Sequence, residues 1–444
     1  MRRELRTKPG ELFSRADIIR SVRELAQLGH FDPEKIEPVP IPNPAEGTVD
    51  LEYKLVEKAN DQLEISGGWG AGMLVGTIGL RFSNFSAKNL LDPKAWRPIP
   101  SGDGQTLSLR AQAGGYYKNF NISFIEPWFG GKKPNSFSVS LYHSIMTRYT
   151  SFYEISKDNN MKITGGSVGL GKRLNWPDDF FTLYTEVSYQ NYTLNNYPGY
   201  FSFDNGTSNN LSFQFTFGRN SVDQPIYPRR GSTFSLSLQL TPPYSVFSDK
   251  DYANLSDNEK YKWVEYHKWT FNSEWYSRLA GNLVLSTRAR FGYLAHYNDD
   301  LGPSPFEGFD LGGDGLSGYN LYGRETIGLR GYGNGSLTPL VVRNNQYVKS
   351  GNVFTKYTME LRYPKTLQPQ ATVFALGFLE AGNAWYDFDS FNPFLVKRSA
   401  GIGLRAFLPM FGLLGIDWGY GFDEIPGQPG ENGSQFHFVI GQQF

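Results

Sequence analysis

From Leu63 to the end, the chain consists of short runs in which every second position is apolar. Leu211, Phe213, Phe215 and Phe217 alternate with Ser212, Gln214 and Thr216, and Phe234, Leu236, Leu238 and Leu240 alternate with Ser235, Ser237 and Gln239. A period of two belongs to a β-strand whose two faces are solvated differently. The pattern predicts strands near 63–71, 73–83, 104–114, 117–126, 135–147, 160–173, 179–192, 208–219, 230–241, 263–279, 281–294, 351–363, 370–382, 397–408, 411–421 and 434–444. That makes sixteen, an even number. In a soluble sandwich the apolar face would be the core. In a membrane barrel it would face lipid, with the Ser, Thr and Gln face lining a wet lumen. The connections favour the barrel: Gly281-Asn282 reads as a tight turn, while 193–207, 242–262 and 295–350 are long, as on the two rims of a barrel. Trp128, Trp176, Trp275 and Tyr276 fall near run ends, where interfacial girdles would place them. A tandem of sandwiches is the alternative, but no segment reads as a linker between them.

The first sixty residues carry a different pattern. Ser14-Arg15-Ala16-Asp17 reads as a capping box. Ile18, Val22 and Leu25 then form one helical stripe, widened by Ile19 and Leu28, and Gly29 is placed to end the helix. Pro33, Pro38, Pro40, Pro42 and Pro44 argue against regular structure until Thr48. From there Val49, Leu51, Tyr53 and Leu55 alternate with Asp50, Glu52 and Lys54 as a half-buried strand. The expectation is a small α+β module over residues 1–60 whose first strand, before Arg3, is missing. The β-rich part then spans 63–444.

One stretch fits neither pattern. Between about Ala295 and Ser350 there is no sustained alternation, and a loop that long in a β-rich chain needs a reason. At its centre stands GLRGYGNG, Gly328 to Gly335, with Arg330 and Tyr332 as the large side chains among the glycines. Glycine lets a backbone fold tightly in left-handed conformations. The reading is a loop folded into the lumen with one arginine as its anchor.

Composition narrows the function. Lys+Arg and Asp+Glu number 43 each, so no net charge steers the chain toward nucleic acid. Aromatics at 16% and 49 glycines, with a mean hydropathy of −0.43, suit two-faced β-structure. No apolar run is long enough for a membrane helix, although each barrel strand needs only about 9–11 residues. Cysteine is absent, which removes disulfides, zinc-thiolate sites and cysteine nucleophiles, and the five histidines lack ligand spacing. No metal or other cofactor is expected. No apolar stretch follows Met1-Arg2-Arg3-Glu4, so an exported protein would be represented here without its leader. Gly67-Gly68-Trp69-Gly70 is followed by neither Lys-Ser/Thr nor a helix, which argues against a phosphate loop. His143, His267 and His296 have Ser or Asp nearby only as chance supplies them, so an enzyme is not expected.

Taken together, several motifs resemble the BamA family of outer-membrane β-barrel assembly insertases. Leu329-Arg330-Gly331-Tyr332 is similar to that family's loop motif of aliphatic, Arg, Gly and aromatic residue. Phe378-Leu379-Glu380-Ala381-Gly382-Asn383-Ala384-Trp385 is similar to its partner strand. Ser399-Ala400-Gly401-Ile402-Gly403-Leu404 before Pro409, and Phe438-Val439-Ile440-Gly441, are similar to its final strands. Tyr227-Pro228-Arg229-Arg230-Gly231 resembles its mid-barrel turn. The N-terminal module resembles the POTRA domain nearest the barrel. Leu329 stands where Val is usual, and Glu380 where Asp is common.

The resemblance implies an all-β fold: a 16-stranded antiparallel transmembrane β-barrel preceded by a partial POTRA-like domain. It implies a place in the bacterial outer membrane, with the N-terminal domain in the periplasm and the long loops outside. Partners would be unfolded outer-membrane protein clients, periplasmic assembly lipoproteins and membrane lipids. In the lumen a buried arginine needs an acidic partner to offset its desolvation, so Arg330 is expected to bond Glu380, with Gly331 allowing close packing and Tyr332 adding apolar contact. Exchanging the two charges is then expected to recover part of what either change loses. Closure needs the first strand to pair with the last, and Gly67, Gly68, Gly70 and Gly72 make that seam weak, opposite a last strand with Gly441 and the terminal Phe444. A seam that opens would expose a strand edge to an incoming strand. A polypeptide-transporting pore of the same superfamily, or a diffusion porin, is the alternative.

Overall fold

The computed structural model describes the chain apart from residues 1, 29, 33–34, 58–60, 71–72, 97–98, 116, 132, 150–154, 198–200, 225, 316–322, 344–345, 369–370, 409–411 and 442–444. Two compact units emerge: Met1–Ser66 with Thr77–Arg110 and Ile122–Pro127, and Gly67–Gly76 with Ala111–Asn121 and Trp128–Phe444.

In the first unit the Ser14 side chain accepts the Asp17 amide at 3.3 Å and starts helix α1 (Arg15–Gln27). Leu25 is buried against Phe31 and Ile36 with Val22 packed beside them, and Ile18 is buried as well. Ile19, expected to widen the apolar stripe, is instead 54% exposed. Gly29 lies outside the described residues. The proline run corrects the sequence reading: β1 (Glu37–Asn43) pairs antiparallel with β2 (Thr48–Lys54). Pro38, Pro40 and Pro42 fall on alternate positions, so every missing N–H lies on one side of the strand. The amides of Val39 and Ile41 point the other way, toward β2, and prolines so spaced are compatible with an edge strand.

The remaining alternating runs all form strands. They are β3 (Gln62–Gly70), β4 (Met73–Phe85), β5 (Gln105–Gly114), β6 (Tyr117–Glu126), β7 (Asn135–Tyr149), β8 (Ile155–Arg173), β9 (Phe181–Asn195), β10 (Gly206–Asn220), β11 (Gly231–Leu240), β12 (His267–Ala280) and β13 (Leu283–Ala295). After a long segment that contains β14 (Gly308–Leu311), β15 (Arg324–Ile327), β16 (Leu340–Arg343) and β17 (Gln346–Lys349) come β18 (Val353–Gln368), β19 (Ala371–Trp385), β20 (Lys397–Leu408), β21 (Gly412–Gly421) and β22 (Ser434–Gly441). β3–β13 and β18–β22 make one 16-stranded sheet in which sequence neighbours pair, with β13 beside β18 and with β3 and β22 at its two ends. The long segment is therefore not irregular throughout, since β14 and β15 pair in parallel and β16 and β17 pair antiparallel. Gly281, at φ 53°, makes the tight turn between β12 and β13.

Burial separates barrel from sandwich. In β10 the serine face is hidden, with Ser212 1% exposed, while Phe215 on the apolar face is 44% exposed. Cross-strand partners keep the same sense: Phe215 faces Leu238 and Thr185 at the same height. A sandwich core would reverse this. The apolar core of the second unit lies instead where the long segment packs on the hidden face: Phe306, Phe309, Leu311, Ile327, Leu329 and Tyr332 meet Tyr192, Tyr266 and Phe354. Trp275 points outward, 60% exposed. Tyr276, expected in the same girdle, points inward with the Arg362 guanidinium 5.4 Å from its ring centre, because adjacent strand residues take opposite faces.

An exposed apolar face of this kind predicts a protein that folds only in detergent or lipid and migrates faster on a gel before heating than after. Leu236→Arg, on the outer face, should destabilise the protein in vesicles by about 2–4 kcal/mol if that site lies near the bilayer midplane. Ser235→Arg, one residue earlier and facing inward, should cost much less. Denaturant titration in vesicles measures both, and equal costs would contradict this assignment of faces.

Candidate functional site

The segment between β13 and β18 carries Arg330 to the inner face of β18–β22. Its Nη2 donates to Glu380 Oε1 and to Glu360 Oε1, each at 2.8 Å, and its Nη1 donates to Asp417 Oδ2 at 3.0 Å. The Arg330 backbone N–H donates to the other Glu380 oxygen at 2.9 Å. The guanidinium also lies 3.5 Å from the centre of the Phe378 ring. Three carboxylates around one buried cation would repel each other without further positive charge. Arg405 donates to both Asp417 oxygens at 2.6 and 2.7 Å, Lys356 lies 2.9 Å from Glu380, and Arg362 donates to Glu360 at 2.6 Å. The result is a charge network, not the single pair the motif suggested.

Strand register explains why these groups meet. Thr358, Glu380 and Ser399 are cross-strand partners at one height, Glu360 and Phe378 share the next, and Asp417 pairs with His437 and Gly403. Each lies at an inward position of the pleat, so strands β18 to β22 present a single charged wall.

Gly331 lets the loop come close to that wall. Its φ is +87°, and a Cβ there would sit 2.6 Å from the Gly421 amide nitrogen. A Cβ on Gly419 would sit 2.9 Å from the Gly331 nitrogen. The loop backbone thus lies directly on strand backbone, a spacing only glycine permits. The Gly331 N–H donates to His437 Nε2 at 2.8 Å, which requires that nitrogen to be unprotonated. Tyr332 is fully buried. Its hydroxyl donates to the Arg398 carbonyl at 2.7 Å and accepts the Asp423 amide, and burial pushes its pKa up to about 12.

A second set of contacts holds the earlier arm of the same segment. Lys268 on β12 meets Glu307 at 2.9 Å and donates to the Gly323 carbonyl at 2.8 Å. Burial raises the Glu307 carboxyl above its ordinary range, and Lys268 partly offsets this. Arg290 meets Glu325 at 2.6 Å, and Phe306 stacks on Tyr192 at 4.3 Å. One arginine is therefore not the only anchor.

Arg330, Gly331, Tyr332 and Glu380 come together in one place. Sequence reasoning passed over Glu360, Asp417, Arg405, Lys356 and His437. The inward glycines Gly401, Gly403, Gly419 and Gly421 were a signal that something approaches those strands. The proposed seam residues lie elsewhere. Gly67, Gly68 and Gly70 are in β3, and Gly441 in β22 pairs with Leu413; Gly72 and Phe444 lie outside the described residues. Among the described residues no cluster of His, Asp or Glu is arranged to hold a metal, and no helix is long and apolar enough to cross a membrane.

Comparison with known proteins bears on the whole chain. The family model described as the Omp85 superfamily domain matches residues 101–444. The POTRA model, described as a surface antigen variable number repeat, matches residues 1–58. The chain is similar to the crystal structure of BamA from Haemophilus ducreyi lacking POTRA domains 1-3, at 20% identity and a TM-score of 0.61, over 98% of this chain and 80% of that one. It is also similar to CdiB from Escherichia coli, at 14% identity and a TM-score of 0.57, over 99% of this chain and 73% of that one. At these identities the likeness is one of fold. Chloroplastic outer envelope protein 80 of Oryza sativa subsp. japonica is 24% identical over 171 residues, 38% of this chain. The match spans 24% of that relative, about a quarter of its length.

The charge network makes a specific prediction for the Arg330–Glu380 pair. In a double-mutant cycle with Arg330→Ala and Glu380→Ala, read by denaturant unfolding in detergent, the coupling should be about 1.5–3 kcal/mol. Exchanging the charges should not restore stability, because Arg330→Glu would face Glu360 and Asp417 while Glu380→Arg would face Lys356. Recovery in the exchanged protein would mean that the other carboxylates do not share the cation.

Proposed function

The chain belongs to the Omp85 superfamily, whose members serve outer-membrane protein biogenesis and transport, and on that premise we propose that it inserts and folds β-barrel proteins in the bacterial outer membrane. In this reading the N-terminal module stands in the periplasm, where assembly lipoproteins dock and unfolded clients arrive. Clients then enter the membrane through the seam between β3 and β22, without nucleotide, cofactor or covalent chemistry.

The observation that carries the reading is an asymmetry within the sheet. Strands β18 to β22 are tied through Arg330, Gly331 and Tyr332 to one loop by ion pairs and buried hydrogen bonds. Among the described residues the ladder ends at β3 on one side and β22 on the other, and β3 contains Gly67, Gly68 and Gly70. Glycine supplies no side chain for cross-strand packing, which is why we assign the weak edge to β3. An edge with its N–H and C=O groups free accepts another strand by β-augmentation, which is the elementary step of building a new barrel. Opening between β3 and β22 leaves the charged wall intact, because its bonds run from the loop to the inner faces of β18 to β22 and none among the described residues runs to β3.

The native chain has no cysteine, so the seam can be tested with one engineered pair. One cysteine is scanned over Ser66 to Gly70 and the other over Phe438 to Gly441, with oxidation checked by gel shift. The oxidised protein should remain folded and lose client insertion into vesicles, and reduction should restore it. A control disulfide between the cross-strand partners Gln214 and Gln239 should be tolerated. Normal insertion by the oxidised seam would end the lateral-opening reading. Loss of passage of a secreted polypeptide, with insertion unaffected, would favour a transporting pore.

A further inference from the structure

The outer face of the sheet is not uniformly convex. Across β12, β13, β18 and β19 it dips into a groove of about 680 Å³. Register gives its construction: Ser273, Ala289, Tyr357, Ala381 and Arg398 are successive cross-strand partners in one row, and Trp275, Thr287, Met359 and Leu379 form the next. All take the outward sense of the pleat, with Tyr357, Met359 and Leu379 each exposed by more than 40%. Small side chains at Ser273, Ala289 and Ala381 make the floor, and the four large ones of Trp275, Tyr357, Met359 and Leu379 make the walls.

Two further observations locate the groove and mark one end of it. One row further along the strands, the connection between β19 and β20 folds back over the outer face. Phe391 packs edge-on against Trp385 at 5.0 Å and Phe291 at 5.8 Å, and Phe388 meets Tyr293 at 5.1 Å. Phe394 and Leu395 of that connection are 89% and 63% exposed, as suits a loop lying in an apolar medium and not standing in water. At the β20 end of the groove the Arg398 side chain is 66% exposed. Asp423 engages its Nε and Nη2, and Nη1 is left for another acceptor.

We propose that this groove is a binding site for a phosphate-bearing membrane lipid, with an acyl chain lying over Ala289 and Ala381 and the phosphate at Arg398. The inference rests on the membrane reading of the outer face. An acyl chain fits because the groove is apolar, opens toward hydrocarbon, and offers dispersion contacts that a flat strand surface lacks. The phosphate fits because a guanidinium presents N–H donors in the geometry phosphate accepts, and near the membrane interface its charge is less well hydrated than in bulk water. Such a lipid would bridge β12–β13 to β19–β20 on the outside, across the strands that the Arg330 network joins on the inside.

The test uses the whole protein in detergent mixed with dioleoyl phosphatidylglycerol or with dioleoylglycerol, which has the same chains and no phosphate. Retained lipid is counted by native mass spectrometry as detergent is raised. Wild type should hold one phosphatidylglycerol in preference to the diacylglycerol. Ala289→Trp or Ala381→Leu, which fill the floor, should lower retention by about tenfold or more. Arg398→Gln should keep the chain but lose the preference for phosphate. Thr185→Trp, outward on β9, is a control of equal bulk and should bind as wild type does. Heat-modifiable migration confirms that each variant is folded. Folded, floor-filled variants that retain lipid as wild type does would overturn the groove, as would equal loss in Thr185→Trp. Wild type that is monodisperse in plain buffer would overturn the membrane reading beneath it.

Discussion

Burying the Arg330 guanidinium is the constraint on which the rest of this half of the molecule depends. A cation taken out of water is tolerated only where opposite charge and hydrogen-bond acceptors are already fixed around it. Three carboxylates from three different strands do this here, and they can be so close only because Lys356, Arg362 and Arg405 neutralise their mutual repulsion. Seven charged groups must therefore be in register at once, which couples the pairing of β18, β19, β20 and β21 to the seating of one loop. A one-residue slip in any of these strands would turn a charged member of the network to the outer face. The network is thus a device for register as much as for affinity, and it links strand order to loop position.

The glycines follow from the same constraint. To bring the guanidinium within 3 Å of Asp417, the Arg330–Gly331 backbone has to lie on the β21 backbone, which no side chain at 419 or 421 would allow. Glycine in a strand loses packing and backbone entropy. In β21 that loss is offset by the loop that fills the space. On the proposed function the same residue type marks a strongly held region in β21 and an opening edge in β3.

Much of this was legible in the sequence, for physical reasons that can be named. Strands with one aromatic and one hydroxyl-rich face declare themselves by alternation, and the Ser14 cap declares the first helix. β1 was hidden because three prolines read as a break until their spacing of two is matched to an edge. The short strands of the long segment were hidden because pairings of four residues leave too little alternation to detect. At the site, Arg330 stood out as a large charge among glycines, and Glu380 came through a motif resemblance. Glu360 and Asp417 had no such marker, since an acidic residue at an inward strand position looks like any polar half of an alternating pair. Asp417 is 87 residues from Arg330, and only the register of four strands brings them together. The glycines at 401, 403, 419 and 421 were the one local clue, because strands that omit side chains on the inward face leave room for something else.

The arrangement also constrains where such a sheet can yield. A strand edge opens where the sum of backbone hydrogen bonds, cross-strand side-chain contacts and bridging groups is smallest. Between β18 and β21 all three contribute, since the ladders are continuous, Phe378 packs beneath the guanidinium, and Arg330 bonds to three of the four strands. From β9 to β12 the polar face adds hydroxyl and amide bonds such as Ser188–Ser212 at 2.8 Å and Thr216–Ser237 at 2.7 Å, and the aromatic face adds Phe181–Phe217 stacking at 5.0 Å. In β3, Gly67, Gly68 and Gly70 supply no side chain for the second term. A backbone hydrogen bond contributes a net of about 1 kcal/mol. On the proposed function, an incoming strand supplies bonds of that kind, so exchanging one partner for another at the β3 edge is nearly balanced in free energy. In that proposal the exchange needs no external energy source.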